Sequence, residues 1–436
     1  MTTDRIAVLP RNRGEILVRR QPREVPGPQL TPLTASLDDD ADPATAARRS
    51  LRAETGVPDA AMDVARVGES VEGDADRDDT DRDDADTGRR IHPVLVDIET
   101  RDETDAAEWE WVVPPSLRSQ SPVPWLWTAY DAVRPTVETV AADTTHGSTT
   151  LSVRALELLR DEAALAGDPP GREADAADGE QADAADSERV RAVAREMCAA
   201  RPAMTAVTNR VNRAVTAASD ASDGFAAAVA DAAHEGIGRA CEADETAADN
   251  AADALPGDRI ATLSRSGTVL AAIEAATPAT ILVAESRPSG EGVGVAEALA
   301  AEADVTLTSD AAFPAELARW DADALLVGAD TVLPDGSVRN KAGTYPTAAV
   351  AAREGIPVVV VTATDKVSPN ADVEREAWPG DPLYEDEAAV DVANPTFDVT
   401  PAAYVDALVT EQGVLDPGDV AAIAADHRAR AAWTNE

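Results

Sequence analysis

The chain has 436 residues, is 44% hydrophobic but only 3% aromatic, and carries a formal net charge of -43 from 81 acidic against 38 basic residues. That length suggests two to three domains with sizeable cores. The acidic excess runs along the whole chain and leaves none of the Lys/Arg stripes that direct nucleic-acid binding needs. Self-repulsion on this scale loosens a protein in dilute buffer, whereas in molar salt the Debye length falls to roughly 3 Å and screens it. The expectation is a halophilic, cytoplasmic protein kept soluble by carboxylates, in preference to an acidic patch that recruits basic partners. No apolar run approaches the roughly 20 residues that span a bilayer, and Met1-Thr2-Thr3-Asp4 leads into a strand pattern, so neither membrane association nor a signal peptide is expected. Cys198 and Cys241 have no metal-binding spacing and read as buried free thiols.

Residues 1–132 are strand-rich. RIAVLPRNRGEILVRR predicts two strands around an Arg13-Gly14 turn, and IHPVLVDIET and WEWVV predict two more. The tract GDADRDDTDRDDADTGRR, Gly73 to Arg90, lacks apolar periodicity and reads as a charged loop. Residues 133–253 are helical: Leu151, Ala155, Leu158 and Leu159 share one helix face, and Val207, Val211 and Val215 repeat the pattern after an Arg201-Pro202 break. Between them, GDPPGREADAADGEQADAADSE predicts a disordered acidic insertion near 166–188. Residues 254–436 alternate short apolar runs with helical stretches. RIATLS, TILVAES, DVTLTSD, ALLVGAD and PVVVVTA predict a parallel sheet covered by helices on both faces. Ligands bind such sheets beyond the carboxyl ends of the strands, where Ser264, Glu285, Asp310, Asp330 and Thr364 fall.

VGADTVLPDGSVRNKAGTYPTAAVAAREGIPVVVVTATDKVSP, Val327 to Pro369, resembles the signature of a superfamily. It contains the α, β and δ subunits of translation initiation factor 2B, ribose-1,5-bisphosphate isomerase and methylthioribose-1-phosphate isomerase. ESRPSGEG (Glu285–Gly292), NPTFDVTPAAYVDALVTEQGVLDP (Asn394–Pro417), RPAM (Arg201–Met204) with Asn209, and HGSTTLS from His146 are similar to further family motifs. The resemblance covers about residues 134–436 and implies a helical domain followed by a Rossmann-like domain. It implies a catalytic acid/base at Asp330 and ligand-binding positions at Asn340 and Lys341, with Arg201, His146, Gly147, Ser148 and Glu291 in the family's other binding motifs. Asn340-Lys341 is expected to open a helix after a Gly336 turn, which suits a phosphate or sugar oxygen. Two departures matter. Ser264, in ATLSRSGTV, stands where the isomerases have a cysteine, and a hydroxyl titrates far above a thiol's roughly 8.5. His146 stands where many members place an arginine that grips phosphate bidentately.

In the first block, AARRSLRAETGV (Ala46–Val57) resembles the second half of a Nudix box, a loop–helix whose glutamates hold divalent metal against a diphosphate. Carboxylates one helical turn apart share a face, which is why that chemistry needs its spacing. Here Arg49-Ser50-Leu51, Ala53-Glu54 and Gly56 leave Glu54 as the one surviving core carboxylate, with Asp38, Asp39 and Asp40 nearby. The resemblance implies a Nudix-like α/β/α domain that is degenerate, with Mg²⁺ at Glu54 only if it retains hydrolysis. Trp109, Trp111, Trp125 and Trp127 read as packing, because no basic residues interleave them.

The fold expected is therefore a multidomain α/β chain. The function expected is a non-catalytic, regulatory protein of the initiation factor 2B type. It would bind a sugar phosphate or nucleotide without a required cofactor and form homo-oligomers through its carboxyl-terminal domain. The alternatives are a sugar-phosphate aldose–ketose isomerase and a Nudix pyrophosphohydrolase. The missing thiol weighs against the first alternative, and the eroded glutamates against the second.

Overall fold

A computed structural model describes residues 4–21, 29–38, 41–73, 89–101, 108–120, 122–167, 179–219, 221, 224–372, 383–384 and 390–435. The chain is mixed α/β. It begins with β1 (Arg5–Asn12), β2 (Glu15–Gln21), β3 (Gln29–Thr31), β4 (Leu33–Ser36), α1 (Pro43–Thr55), β5 (Met62–Val67), β6 (Val71–Gly73), β7 (Arg89–Ile98), β8 (Trp109–Val112) and α2 (Leu126–Asp131). The expected hairpin forms with Asn12 opposite Glu15. Its two turn residues, Arg13 and Gly14, have φ of 48° and 75°, the doubly left-handed turn that matches strand twist and favours glycine second. β1 pairs parallel with β7 at the centre of the sheet. Strand alternation sends Ile6, Val8, Val94 and Val96 to the face covered by α1, through Ala47 and Leu51. Leu9, Ile16, Val18 and Leu95 go to the opposite face, against Leu126, Tyr130 and Val133.

The helices α3 (Val137–Ala142), α4 (Ser148–Gly167), α5 (Gly179–Ala200), α6 (Thr205–Ala217) and α7 (Phe225–Ala254) follow. Leu151, Leu158, Leu159, Val207, Val211 and Val215 share one core, which Trp433 enters from the end of the chain. The acidic insertion expected near 166–188 is corrected at its carboxyl end: α5 starts at Gly179. Alanine has the highest helix propensity, and Val190, Ala194 and Met197 bury one stripe of this helix. Residues 74–88 and 168–178, the rest of the two acidic tracts, lie outside the described residues.

The remainder contains β9 (Arg259–Thr262), α8 (Gly267–Ala276), β10 (Thr280–Ala284), α9 (Glu291–Leu299), β11 (Asp304–Thr308), α10 (Phe313–Trp320), β12 (Ala324–Val327), β13 (Thr331–Val332), β14 (Val338–Lys341), α11 (Thr344–Glu354), β15 (Val358–Val361), β16 (Phe397–Thr400), β17 (Ala407–Thr410), β18 (Gly413–Leu415) and α12 (Pro417–Arg430). The main sheet has the order β11-β10-β9-β12-β15-β17-β18, parallel except for the last pair. Its central strands are buried on both faces: Ala261, Leu282 and Leu325 pack on one side, Ile260, Ile281 and Leu326 on the other. From β9 the chain winds outward to β10 and β11, then returns to β12 on the other side. This reversal opens a crevice beyond the carboxyl ends of β9 and β12.

Buried charge joins this sheet domain to the helices. Asp365 accepts from Arg210 at 2.8 Å and also from Arg213, and Asn209 donates to the carbonyls of Asp365 and Val367, each at 2.9 Å. Burial alone would raise the Asp365 carboxyl, but the two guanidinium groups hold it well below the usual range. Among the described residues no helix is long and apolar enough to cross a membrane.

Candidate functional site

The loops after β9 and β12 meet over the crevice. A Cβ on Gly328 would lie 2.8 Å from Ser266 Oγ, so glycine is what allows this approach. Ser264 ends the first loop with φ 65°, a left-handed conformation that a non-glycine residue holds only when its surroundings fix it. They do: its N–H donates to Ser286 Oγ at 2.7 Å. Ser286 is held in turn, its own N–H donating to Asp310 at 2.8 Å.

The Ser264 hydroxyl donates to Glu291 Oε1 at 3.3 Å. The same oxygen pairs with Lys341 Nζ at 2.6 Å, and Lys341 also donates to Ser289 Oγ at 3.2 Å. Burial pushes the Glu291 carboxyl up, but bonds from Lys341, Ser289 and its own helix-start N–H hold it below the ordinary range. The result is a hydroxyl, a carboxylate and an ammonium in sequence at the crevice. Lys341 and Lys366 are the chain's only lysines, and both are buried. Asp330 follows β12, its N–H bonded to the Arg339 carbonyl at 3.0 Å.

One expectation is corrected. Asn340-Lys341 does not open a helix but closes β14, laddered against Asp398 and Phe397 of β16. The helix begins at Thr344, and its free N–H groups are already taken: those of Gly343 and Tyr345 donate to Asp398, at 2.8 and 3.1 Å respectively. Asn340 is buried and donates to Thr344 Oγ1 at 3.0 Å. The contribution to the crevice is therefore the Lys341 ammonium on a strand end, without a helix N-terminus.

The other expected positions are engaged elsewhere. Arg201 donates to the carbonyls of Val140, at 3.0 Å, and Asp143. His146 lies between Asp143, at 2.8 Å from Nδ1, and Asp63 of β5, at 3.3 Å from Nε2. Gly147 precedes α4 and Ser148 begins it, buried. This segment still borders the crevice, because Arg265 next to Ser264 donates to the Thr145 carbonyl at 3.1 Å. Ser286 and Ser289 escaped the sequence reading. Their signal was present in ESRPSGEG, whose turn residues support Ser264 and Glu291.

The Nudix-type helix α1 presents different chemistry. Glu54 accepts from Arg19 at 2.7 Å, and Arg48, Arg49 and Arg52 line a neighbouring hollow of about 520 Å³. Asp39 and Asp40 lie outside the described residues. Among the described residues no group of three His, Cys, Asp or Glu side chains suits a metal ion. Mg²⁺ needs carboxylate oxygens and a phosphate; one carboxylate already neutralised by arginine, with three arginines beside it, does not fit that ion. The two cysteines expected as buried free thiols are free but half-buried, and burial pushes the Cys198 thiol up to about 12.

Residues 144–417 match the model of the initiation factor 2 subunit family, and residues 1–132 match that of the NUDIX domain. A ribose 1,5-bisphosphate isomerase of Haloferax volcanii is 33% identical over 306 residues, covering 66% of this chain and 92% of that protein. A methylthioribose-1-phosphate isomerase of Ostreococcus lucimarinus is 35% identical over 144 residues, 30% of this chain and 40% of that protein. The crystal structure of translation initiation factor eIF-2B from Pyrococcus horikoshii OT3 aligns with a TM-score of 0.51 at 26% identity, over 65% of this chain and 97% of that one. The chain belongs to the initiation factor 2 subunit family, with a NUDIX domain at its amino-terminal end.

Proposed function

We propose that this family member binds a phosphorylated pentose in the crevice between β9 and β12 and interconverts its aldose and ketose forms. The Ser264–Glu291–Lys341 chain at the sheet's switch point carries the reading. Relatives named as isomerases of ribose 1,5-bisphosphate and methylthioribose 1-phosphate support it over the non-catalytic role expected from Ser264 alone. For a pentose esterified at C1, opening to the ketose has a fixed balance. The ring oxygen gains a proton, the 2-hydroxyl loses one, and the hydrogen on C2 moves to C1. Such a reaction needs one proton donor and one acceptor within hydrogen-bond reach. Glu291, held ionised by Lys341, accepts through the Ser264 hydroxyl, and Asp330 handles the second proton. Lys341 holds its ammonium beside Glu291 and Ser289 at the crevice, where its charge suits a phosphoryl oxygen.

A second reading rests on one atom. Oxygen in place of sulphur at Ser264 favours a protein that binds the same ligand and regulates without turnover. An isomerase assay with both sugar phosphates, paired with calorimetric titration, separates the two: binding with turnover supports the first, binding without it the second, and no binding sinks both.

Two properties complete the proposal. The chain assembles with a second copy through its carboxyl-terminal domain, which light scattering would test. It also holds its fold only in concentrated salt, since -43 of net charge is otherwise unscreened. A circular dichroism spectrum unchanged on dialysis to low salt would contradict the salt requirement.

A further inference from the structure

A cavity of about 580 Å³ lies between the NUDIX region and the helices, away from α1, and reaches the Thr145–His146 segment that borders the crevice. Its walls come from Arg11 of β1, residues 63–66 of β5, Leu95 of β7, the 133–146 segment and Arg154 of α4. Leu95 and Val133 belong to the sheet face opposite α1, so the Nudix-type helix has no part in it. The cavity exists because the two matched regions are joined in one chain.

Its charge runs against the rest of the protein. Arg11, Arg66, Arg134 and Arg154 line it, against Asp63 and Asp143 alone among acidic residues, in a chain whose net charge is -43. Three of the arginines are spent on carboxylates: Arg11 on Asp97 and Glu157, Arg134 on Asp131 and Glu162, Arg154 on Asp97 and Asp143. Asp143 pairs with Arg154 and lies 2.8 Å from His146 Nδ1, and Asp63 faces His146. Arg66 is different. It makes no hydrogen bond or ion pair among the described residues, and its charge helps to lower the Glu138 carboxyl.

The backbone presents Arg66 on purpose. In the β5–β7 pairing Val64 opposes Val96 and Arg66 opposes Leu95, so Ala65 is an extra, bulged residue. An ordinary strand turns alternate residues to one face. Here Asp63, Val64, Ala65 and Arg66 all line the cavity, and re-aiming a side chain toward a site is what bulges do. Val64, Leu95, Val133, Pro135 and Val140 supply an apolar wall beside that charge. A volume of this size with apolar walls and few directed polar groups suits a small molecule.

We propose that this interdomain cavity binds a small phosphomonoester, its phosphoryl group on Arg66 and its carbon body on the apolar wall. Arginine is the usual partner of phosphate, which its planar fork binds through paired N–H groups. The test uses the full chain in the salt where it folds, with Lys341→Ala as background so that the crevice contributes no lysine contact. Ribose 5-phosphate titrated calorimetrically should still bind with a stoichiometry near one. Adding Arg66→Gln should weaken it about tenfold or more, and so should Ala142→Trp, which fills the cavity from the end of α3 without removing an ion pair. Inorganic phosphate should compete, but more weakly, because it leaves the apolar wall uncovered. Loss of all binding in Lys341→Ala alone would overturn the proposal, as would unchanged affinity in both added variants. Because the background removes the crevice's contact, an inactive crevice and an empty cavity give separate results.

Discussion

Two carboxylates in this chain make ion pairs of nearly equal length in opposite settings. Glu291 meets Lys341 at 2.6 Å with side chains 21% and 6% exposed. Glu54 meets Arg19 at 2.7 Å with side chains 45% and 29% exposed. At equal distance, burial decides what the pair is worth, because the effective dielectric differs several-fold between the two places. On α1 water solvates either partner left alone, and the pair is surface decoration. In the crevice the same pair fixes a carboxylate's charge beside a hydroxyl and holds an ammonium in place. Around α1 the described residues set arginines near one exposed carboxylate, whereas the crevice gathers a hydroxyl, a carboxylate and an ammonium.

A deeply buried pair should show the largest effect. Asp365→Asn strips Arg210 and Arg213 of their carboxylate and should cost about 3–5 kcal/mol in denaturant unfolding. A loss below about 1 kcal/mol would break the claim that burial sets the scale. The sign with pH follows from the lowered Asp365 carboxyl. Its contribution is present above the unfolded value of about 3.9 and is lost as pH falls through the lower folded value, so the variant's stability should depend less on pH in that acid range. Next, Lys341→Ala should weaken a sugar phosphate in the crevice by about 10- to 100-fold, the loss of one charge-assisted bond. Unchanged affinity would place the ligand elsewhere. Smallest is Glu54→Gln, expected to shift stability by less than about 1 kcal/mol. Mg²⁺-dependent diphosphate hydrolysis should be absent before and after the change. Robust hydrolysis that disappears in the variant would show that this carboxylate still holds metal.

The sequence made some of this legible and hid the rest for physical reasons. The Arg13-Gly14 hairpin was readable because a two-residue turn demands positive φ and glycine advertises it. The parallel strands were readable because burial on both faces leaves runs such as Val358–Val361. Ser264 was readable through its strand-end loop. β14 was not: Val338-Arg339-Asn340-Lys341 is buried throughout, but three of its four side chains are polar. With Gly343 and Thr344 just beyond, the segment looked like a helix start. The contact between the NUDIX region and the helices was invisible for a related reason. Arg11 bonds Glu157 at 2.8 Å, both buried, and Arg160 donates to the Gly14 carbonyl at 2.5 Å. In sequence these are ordinary surface charges, and only the fold brings residues so far apart together.

Isomerase turnover by the wild-type chain, against Ser264→Ala, tests the central claim most directly. Conversion of ribose 1,5-bisphosphate or methylthioribose 1-phosphate to its ketose should be measurable in molar salt. The account expects kcat to fall about 100-fold in Ser264→Ala, the scale of one positioned proton-transfer group, with KM little changed. Tight binding of either sugar phosphate by a wild-type chain that gives no ketose would contradict it.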